Sequence, residues 1–129
     1  MEERQRQLRV LAVDDDEAIR VLVADVLREA GCLVFTACDG EEAVEILETE
    51  PIDLLITDYR MPRMNGLELI RWSRERFPYM ARTMMTGDPR ETVTTDAWTS
   101  GADRILLKPF SFDHLLLLVG DLRGAMVAV

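Results

Sequence analysis

The sequence has little that would tie it together covalently or anchor it elsewhere. Its two cysteines, Cys32 and Cys38, fit neither a zinc spacing nor a C-x-x-C redox pair, and they read as buried thiols of a reducing compartment ahead of a disulfide. No apolar stretch approaches the roughly 18 residues of a membrane span. The polar opening "MEERQRQ" is not that of a signal peptide, so a cytoplasmic location is expected. Basic residues are scarce. Fifteen Lys and Arg against 24 Asp and Glu leave a formal charge of −9, the wrong sign for a nucleic-acid surface. The one histidine, His114, falls in the first turn of the last expected helix and reads as a plain surface residue. Repeats, linkers and low-complexity segments are missing. What remains is a chain of 129 residues, 48% of them apolar, which is one domain with enough core to fold without disulfides. Its seven methionines read as core filler.

The apolar residues alternate between two kinds of segment. "LRVLAV" (8–13), "LVFTA" (33–37), "DLLIT" (53–57), "ARTMM" (81–85) and "RILL" (104–107) are short runs without helical period, so they predict strands. Between them, residues 17–29 place Ile19, Leu22, Val23, Val26 and Leu27 at helical spacing, with Gly31 just past the end. Further helices are expected from Gly40 to Leu47, from Gly66 to the Phe77-Pro78 stop, over about 91–99, and from Phe112 to Leu122 behind Ser111 as N-cap. Five strands alternating with five helices imply a doubly wound parallel sheet covered on both faces. Strands buried on both faces read as continuous apolar runs, and these do.

In such a fold the strand-to-helix loops gather at the carboxyl edge of the sheet, where ligands bind. The residues delivered there are Asp14, Asp15 and Asp16 after the first strand, Asp58 after the third, Thr86 after the fourth and Lys108 after the fifth. Neighbouring strands lie about 4.8 Å apart, so adjacent first and third strands would bring Asp58 to the acidic triplet. Two carboxylates about 4 Å apart repel by roughly 4 kcal/mol at an effective dielectric of 20, so a positive charge belongs between them. Oxygen-only ligation with few protein ligands favours magnesium over calcium. A hard metal, a lysine and a hydroxyl together suit the oxygens of a phosphoryl group. Asp16, with Glu17, suits a helix cap instead.

Four motifs in order resemble one family. "VLAVDDDEAIR" is similar to the acidic pocket of the receiver domains of two-component response regulators, and "LLITDYRMPRMNG" to their phosphoacceptor segment. "MMTG" resembles their fourth-strand switch and "LLKPF" their lysine loop, so the likeness covers roughly residues 8–122. It implies strand order 2-1-3-4-5 in a single receiver domain over 1–129, the tail being the possible start of a linker. It makes Asp58 the acceptor of a phosphoryl group from a sensor histidine kinase or phosphotransfer protein. Magnesium, or manganese, would be held by Asp15, by Asp14 directly or through water, by Asp58 and by the backbone carbonyl of Arg60. Lys108 would pair with the phosphoryl oxygens, Thr86 would move to bond one of them, and the Lys108-Pro109 peptide is expected to be cis. Such a domain assists only its own phosphorylation and dephosphorylation. The Arg60 side chain stands where it affects water's access to the acyl phosphate.

The sequence departs from this family at one position of the switch, where Ile105 replaces the usual Tyr or Phe. On the last helix the buried stripe is expected to be Phe112, Leu115, Leu116, Val119 and Leu122. Trp98, Ile105, Leu117 and Leu118 are then candidates for an apolar docking face, for a downstream effector or a second copy. The bland alternative is that the chain end "GAMVAV" covers them. Two other functions compete. A receiver-like scaffold that is never phosphorylated is compatible with Ile105. An aspartate-nucleophile phosphohydrolase would want an acid two residues after Asp58, where Arg60 stands.

Overall fold

The computed structural model describes residues 7–127, the last three by backbone alone. In chain order the elements are β1 (Arg9–Val13), α1 (Glu17–Glu29), β2 (Leu33–Ala37), α2 (Gly40–Thr49), β3 (Leu54–Asp58), α3 (Gly66–Arg76), β4 (Ala81–Thr86), α4 (Glu91–Ser100), β5 (Arg104–Leu107) and α5 (Phe112–Val127). The strands form one parallel sheet in the order β2-β1-β3-β4-β5. This is the expected architecture and the expected order.

Period-two alternation divides each strand between two cores. Val10 and Ala12 of β1, with Leu54 and Ile56 of β3, face the layer of α1 and α5, where Val23, Leu27, Leu115 and Val119 meet them. Leu11, Val13 and Leu55 face the other layer, against Leu47, Leu69 and Ile70 from α2 and α3. Both faces are therefore dry, which is why the sequence shows runs and no polar alternation. Each fully buried leucine contributes about 1.5–3 kcal/mol.

Helix starts follow the chemistry of their first residues. The Asp16 carboxylate accepts from the N–H groups of Ala18 and Ile19 at the head of α1, as a cap should. Asp39 caps α2 through the Glu42 N–H. Asn65 and Glu68 close a reciprocal capping box on α3. On α5 the Ser111 hydroxyl accepts from the His114 N–H at 3.3 Å, and the His114 ring accepts in return from the Ser111 N–H. The His114 N–H also donates to the Ser111 carbonyl at 3.1 Å, and the residue is exposed.

Four expectations need correction. The third and fourth strands reach one residue further than their apolar runs, because Asp58 keeps register with Met85 and the Tyr59 N–H donates to the Met85 carbonyl at 2.9 Å. Asp58 and Thr86 are thus the last residues of strands. Cys32 is buried but Cys38 is exposed, since it sits in the turn where its N–H donates to the Glu42 carboxylate at 2.7 Å. Leu118 is 5% exposed and belongs to the core, so it leaves the candidate docking face. Its burial comes from a rotation of α5: the inward stripe is Leu115, Leu118 and Val119, with Leu122 partly covered, while Phe112 and Leu116 are 53% and 43% exposed. Finally, α5 runs past Leu122 to Val127. Side chains of the tail beyond Gly124 lie outside the described residues, so the suggested covering by "GAMVAV" does too.

One buried charge was invisible in the sequence. Arg82 on β4 is 4% exposed, yet its guanidinium donates to the Ser73 hydroxyl at 3.0 Å, to the Ser73 carbonyl at 3.2 Å and to the Phe77 carbonyl. It adds a second donor to two carbonyls at the end of α3, which already accept from the Phe77 N–H at 2.7 Å and the Met80 N–H at 3.1 Å. Among the described residues no helix is long and apolar enough to cross a membrane.

Candidate functional site

The carboxyl edge of the sheet assembles as its register dictates. β1 pairs with β3 up to Val13 and Thr57, so Asp14 and Asp58 leave adjacent strands side by side. One carboxylate oxygen from each of Asp14, Asp15 and Asp58 lies within 4.8 Å of the others. Asp14 and Asp58 are buried and Asp15 is exposed. Asp14 is fixed on both sides: its N–H donates to the Ala37 carbonyl at 3.2 Å, and its Oδ1 accepts from the Asp16 N–H at 2.9 Å. The Arg20 guanidinium adds a bond to the Asp14 carbonyl at 2.8 Å.

Lys108, the only lysine of the chain, enters from β5 across the end of β4. Its Nζ lies 2.9 Å from Asp58 Oδ1 and 3.1 Å from Asp14 Oδ2. The Lys108-Pro109 peptide is cis, as expected. Burial pulls the ammonium's pKa down, but the Asp58 hydrogen bond and the charges of Asp58 and Asp14 outweigh it and hold it above the usual value. Asp58 moves up as well. Burial is the main cause, the Lys108 hydrogen bond pulls it back, and the Asp14 and Asp15 charges push it up again. Three carboxylates around one ammonium leave the edge short of positive charge.

Backbone geometry holds Asp58 in place. A Cβ added at Gly66 would stand 2.2 Å from the Asp58 carbonyl oxygen, and the Gly66 N–H donates to the Tyr59 carbonyl at 2.9 Å. The head of α3 thus rests directly on the end of β3, and only glycine permits that approach.

Thr86 is buried at 2% exposure, and its hydroxyl oxygen accepts from the Asp88 N–H at 3.0 Å. It shares with Asp58, Arg60, Asp88 and Lys108 the lining of a cavity of about 440 Å³. On the other flank, Asp15 and Arg60 line a second opening with Tyr59, Met61, Pro62 and Asn65. The structure therefore brings together Asp14, Asp15, Asp58, Arg60, Thr86 and Lys108. The other candidates lie elsewhere: Trp98 on α4 is 51% exposed, Leu117 on α5 is 64% exposed, and Ile105 on β5 is half-buried against the α3 and α4 layer. Leu107, two residues on, is 47% exposed and was missed, because it ends a run that reads as core. Asp88 and Arg90 were missed at the site itself. The segment "TGDPR" reads only as a turn, and two opposite charges two residues apart look like solvated surface.

Acids gathered around one ammonium, in a sheet of this strand order, define a receiver-type signalling domain. The chain belongs to the response regulator receiver domain family, which it matches over residues 10–120. It is 36% identical over 110 residues to the DNA-binding transcriptional regulator NtrC of Escherichia coli (strain K12), a match covering 85% of this chain and 24% of NtrC. A CheY-like receiver domain protein from Methanospirillum hungatei JF-1 superimposes with a TM-score of 0.88 at 28% identity, over 93% of this chain and 96% of that one. The response regulator TrrA from Thermotoga maritima, solved in complex with Mg2+ and BeF, gives 0.82 at 33% identity over 90% and 99%. The chain spans 24% to 45% of the length of NtrC and the transcriptional regulatory protein TrcR, two curated relatives it matches.

Proposed function

We propose that Asp58 is the phosphoacceptor of this receiver and that the single domain spans residues 1–129, with its core over about 8–122. The observation that carries this is the Lys108 ammonium seated between Asp14 and Asp58, at 3.1 and 2.9 Å, in an edge with surplus negative charge. An Asp58 oxygen attacks the phosphorus of a phosphohistidine on a sensor kinase or phosphotransfer protein. The new P–O bond forms as the P–N bond breaks, and the imidazole leaves with its electron pair. Lys108 fixes Oδ1 of Asp58 and stays to pair with the phosphoryl oxygens. The Thr86 hydroxyl turns from the Asp88 N–H and donates to one of them.

The donor set fits a hard divalent cation, because every group is an oxygen and the acids exceed the ammonium. Asp14, Asp15, Asp58 and the Arg60 carbonyl would hold magnesium or manganese, which when bound would supply positive charge to offset the acids and the phosphoryl group. The domain catalyses nothing beyond its own modification and its loss. Its partners are the kinase side that supplies the phosphoryl group and an effector, or a second copy, that reads it through Trp98, Ile105 and Leu117. Its acidic surface does not itself hold nucleic acid or membrane, and its place is the cytoplasm.

Incubation with acetyl phosphate and magnesium tests this by intact-protein mass. The wild type should gain one phosphoryl group, and Asp58→Asn should gain none. An unchanged wild-type mass would favour the non-phosphorylated scaffold, for which Ile105 in the aromatic position is the one observation in favour.

A further inference from the structure

Arg60 and Asp88 stand on opposite lips of the opening above Asp58. Each follows its strand by two residues, Arg60 after β3 and Asp88 after β4, and both line the cavity that also holds Thr86 and Lys108. Their side chains meet with Arg60 Nη2 3.6 Å from Asp88 Oδ2, and the Arg60 side chain is 72% exposed. A pair that long and that wet is weak and readily broken. Asp88 does not depend on it. Arg90 Nε lies 2.9 Å from both Asp88 oxygens, Arg90 Nη2 adds a third bond, and the Arg90 N–H donates to Oδ1 at 3.0 Å. The carboxylate therefore stays compensated whether or not Arg60 is present.

A carboxylate with one firm and one loose partner makes the loose one transferable. A phosphoryl group on Asp58 brings about two negative charges into the same cavity. Asp88 offers Arg60 only the remainder of a charge that Arg90 already neutralises. A guanidinium fork also matches phosphoryl oxygens in geometry. We propose that Arg60 is an exchangeable ligand of the phosphoryl group, held on Asp88 before modification and turned onto the phosphoryl oxygens after it, while Arg90 keeps Asp88. This rests on Asp58 as the acceptor.

The exchange converges on a second event. The Asp88 N–H is the donor to Thr86 Oγ1, and on the proposed movement that bond opens as the Thr86 side chain turns toward the phosphoryl group. Both movements therefore release Asp88, once at its side chain and once at its backbone. Arg90 stands at the N-cap of α4, where no side chain caps the helix. Loss of Arg60 and Thr86 as partners reaches α4 through the Asp88–Arg90 contact. With Ile105 in place of an aromatic, this gives the loop before α4 a polar means of sensing the modification.

The test measures affinity for beryllofluoride, made from beryllium and fluoride salts with magnesium, as a reversible stand-in for the phosphoryl group. Asp88→Asn keeps the oxygen for the Arg90 N–H and the N–H for Thr86, but removes the charge that holds Arg60. It should tighten binding about two- to five-fold, and Arg60→Ala should weaken it by a similar factor. In the Arg60→Ala background most of the gain from Asp88→Asn should vanish, and Arg60→Lys should recover part of the loss. Equal gains from Asp88→Asn in both backgrounds would overturn the exchange. If the wild type fails to bind beryllofluoride at all, Asp58 is not the acceptor and the exchange falls with it.

Discussion

Asp58 ionises against opposition. It is buried, two carboxylates face it, and only Lys108 answers them, so its pKa stands above the ordinary value. For an acid, a raised pKa means that the folded state holds the proton more tightly than the unfolded one. The fold is then strained by ionisation, and stability falls as pH rises through the raised value. Asp58→Asn should therefore melt at a higher temperature than the wild type at neutral pH in chelator. The advantage should disappear as pH falls below about 4, the ordinary range of the carboxyl. Thermal melts at both pH values check this, and a lower melting temperature at pH 7 would contradict it. Magnesium should raise the wild-type melting temperature more than that of Asp58→Asn, by mass action on the folded state. Lys108 works in the opposite sense: its raised pKa keeps it charged until strongly alkaline pH, and Lys108→Met should cost about 3 kcal/mol by leaving Asp14 and Asp58 facing each other. At this scale the sequence was informative where side-chain chemistry is unusual for its place. A lone carboxylate at the end of an apolar strand is most often a turn former, and it is the acids, hydroxyl and lysine at the same edge that single out Asp58. The Asp88–Arg90 pair has many uses, and nothing in "TGDPR" distinguishes a clasp over a cavity from a solvated turn.

At the scale of elements, the close approach of α3 to β3 makes Gly66 a positioning residue for Asp58. Gly66→Ala would set a methyl carbon 2.2 Å from the Asp58 carbonyl oxygen, and backbone must yield. The variant should lose about 1–3 kcal/mol and accept phosphate from acetyl phosphate several-fold more slowly, with the loss persisting at saturating magnesium. Arg82 is the other element-scale device. Replacing it by Leu removes three buried hydrogen bonds to Ser73 and Phe77, whose carbonyls keep only their backbone donors, and should cost about 1–3 kcal/mol in chemical denaturation. Neither was legible beforehand. Glycine at a helix start reads as a stop or a cap, and an arginine within a strand run reads as an edge. The face of α5 was misjudged for a related reason. "HLLLLVGDL" is apolar on every side, so periodicity does not choose a face, and the choice falls to packing against α1 and the sheet. By contrast, the caps at Asp16 and Ser111 were legible, because their short polar side chains act on N–H groups two or three residues away.

Across the whole molecule, apolar runs of strand length alternating with helical periods were enough to give the fold class, since few architectures bury a strand on both faces. What such runs cannot show is which exposed apolar residues are left for others. Trp98, Leu107 and Leu117 are between 47% and 64% exposed on α4, β5 and α5. On the docking reading proposed above, Trp98→Ala combined with Leu117→Ser should leave phosphate uptake intact and change stability by no more than about 0.5 kcal/mol per site. The same variant should lose the beryllofluoride-dependent association with partner or second copy, followed by sedimentation. Retained association would remove these residues from the interface.

The reach of Lys108 has a mechanical side. β5 is an edge strand of four residues, paired only to β4, yet the side chain of the next residue, Lys108, is moored to acids borne by the two strands beyond. The outermost strand is lashed to the middle of the sheet by a single ammonium. Acetylating that amine should let the margin fray: amide protons of 105–107 would exchange with solvent faster, while those of β1 and β3 keep their pace.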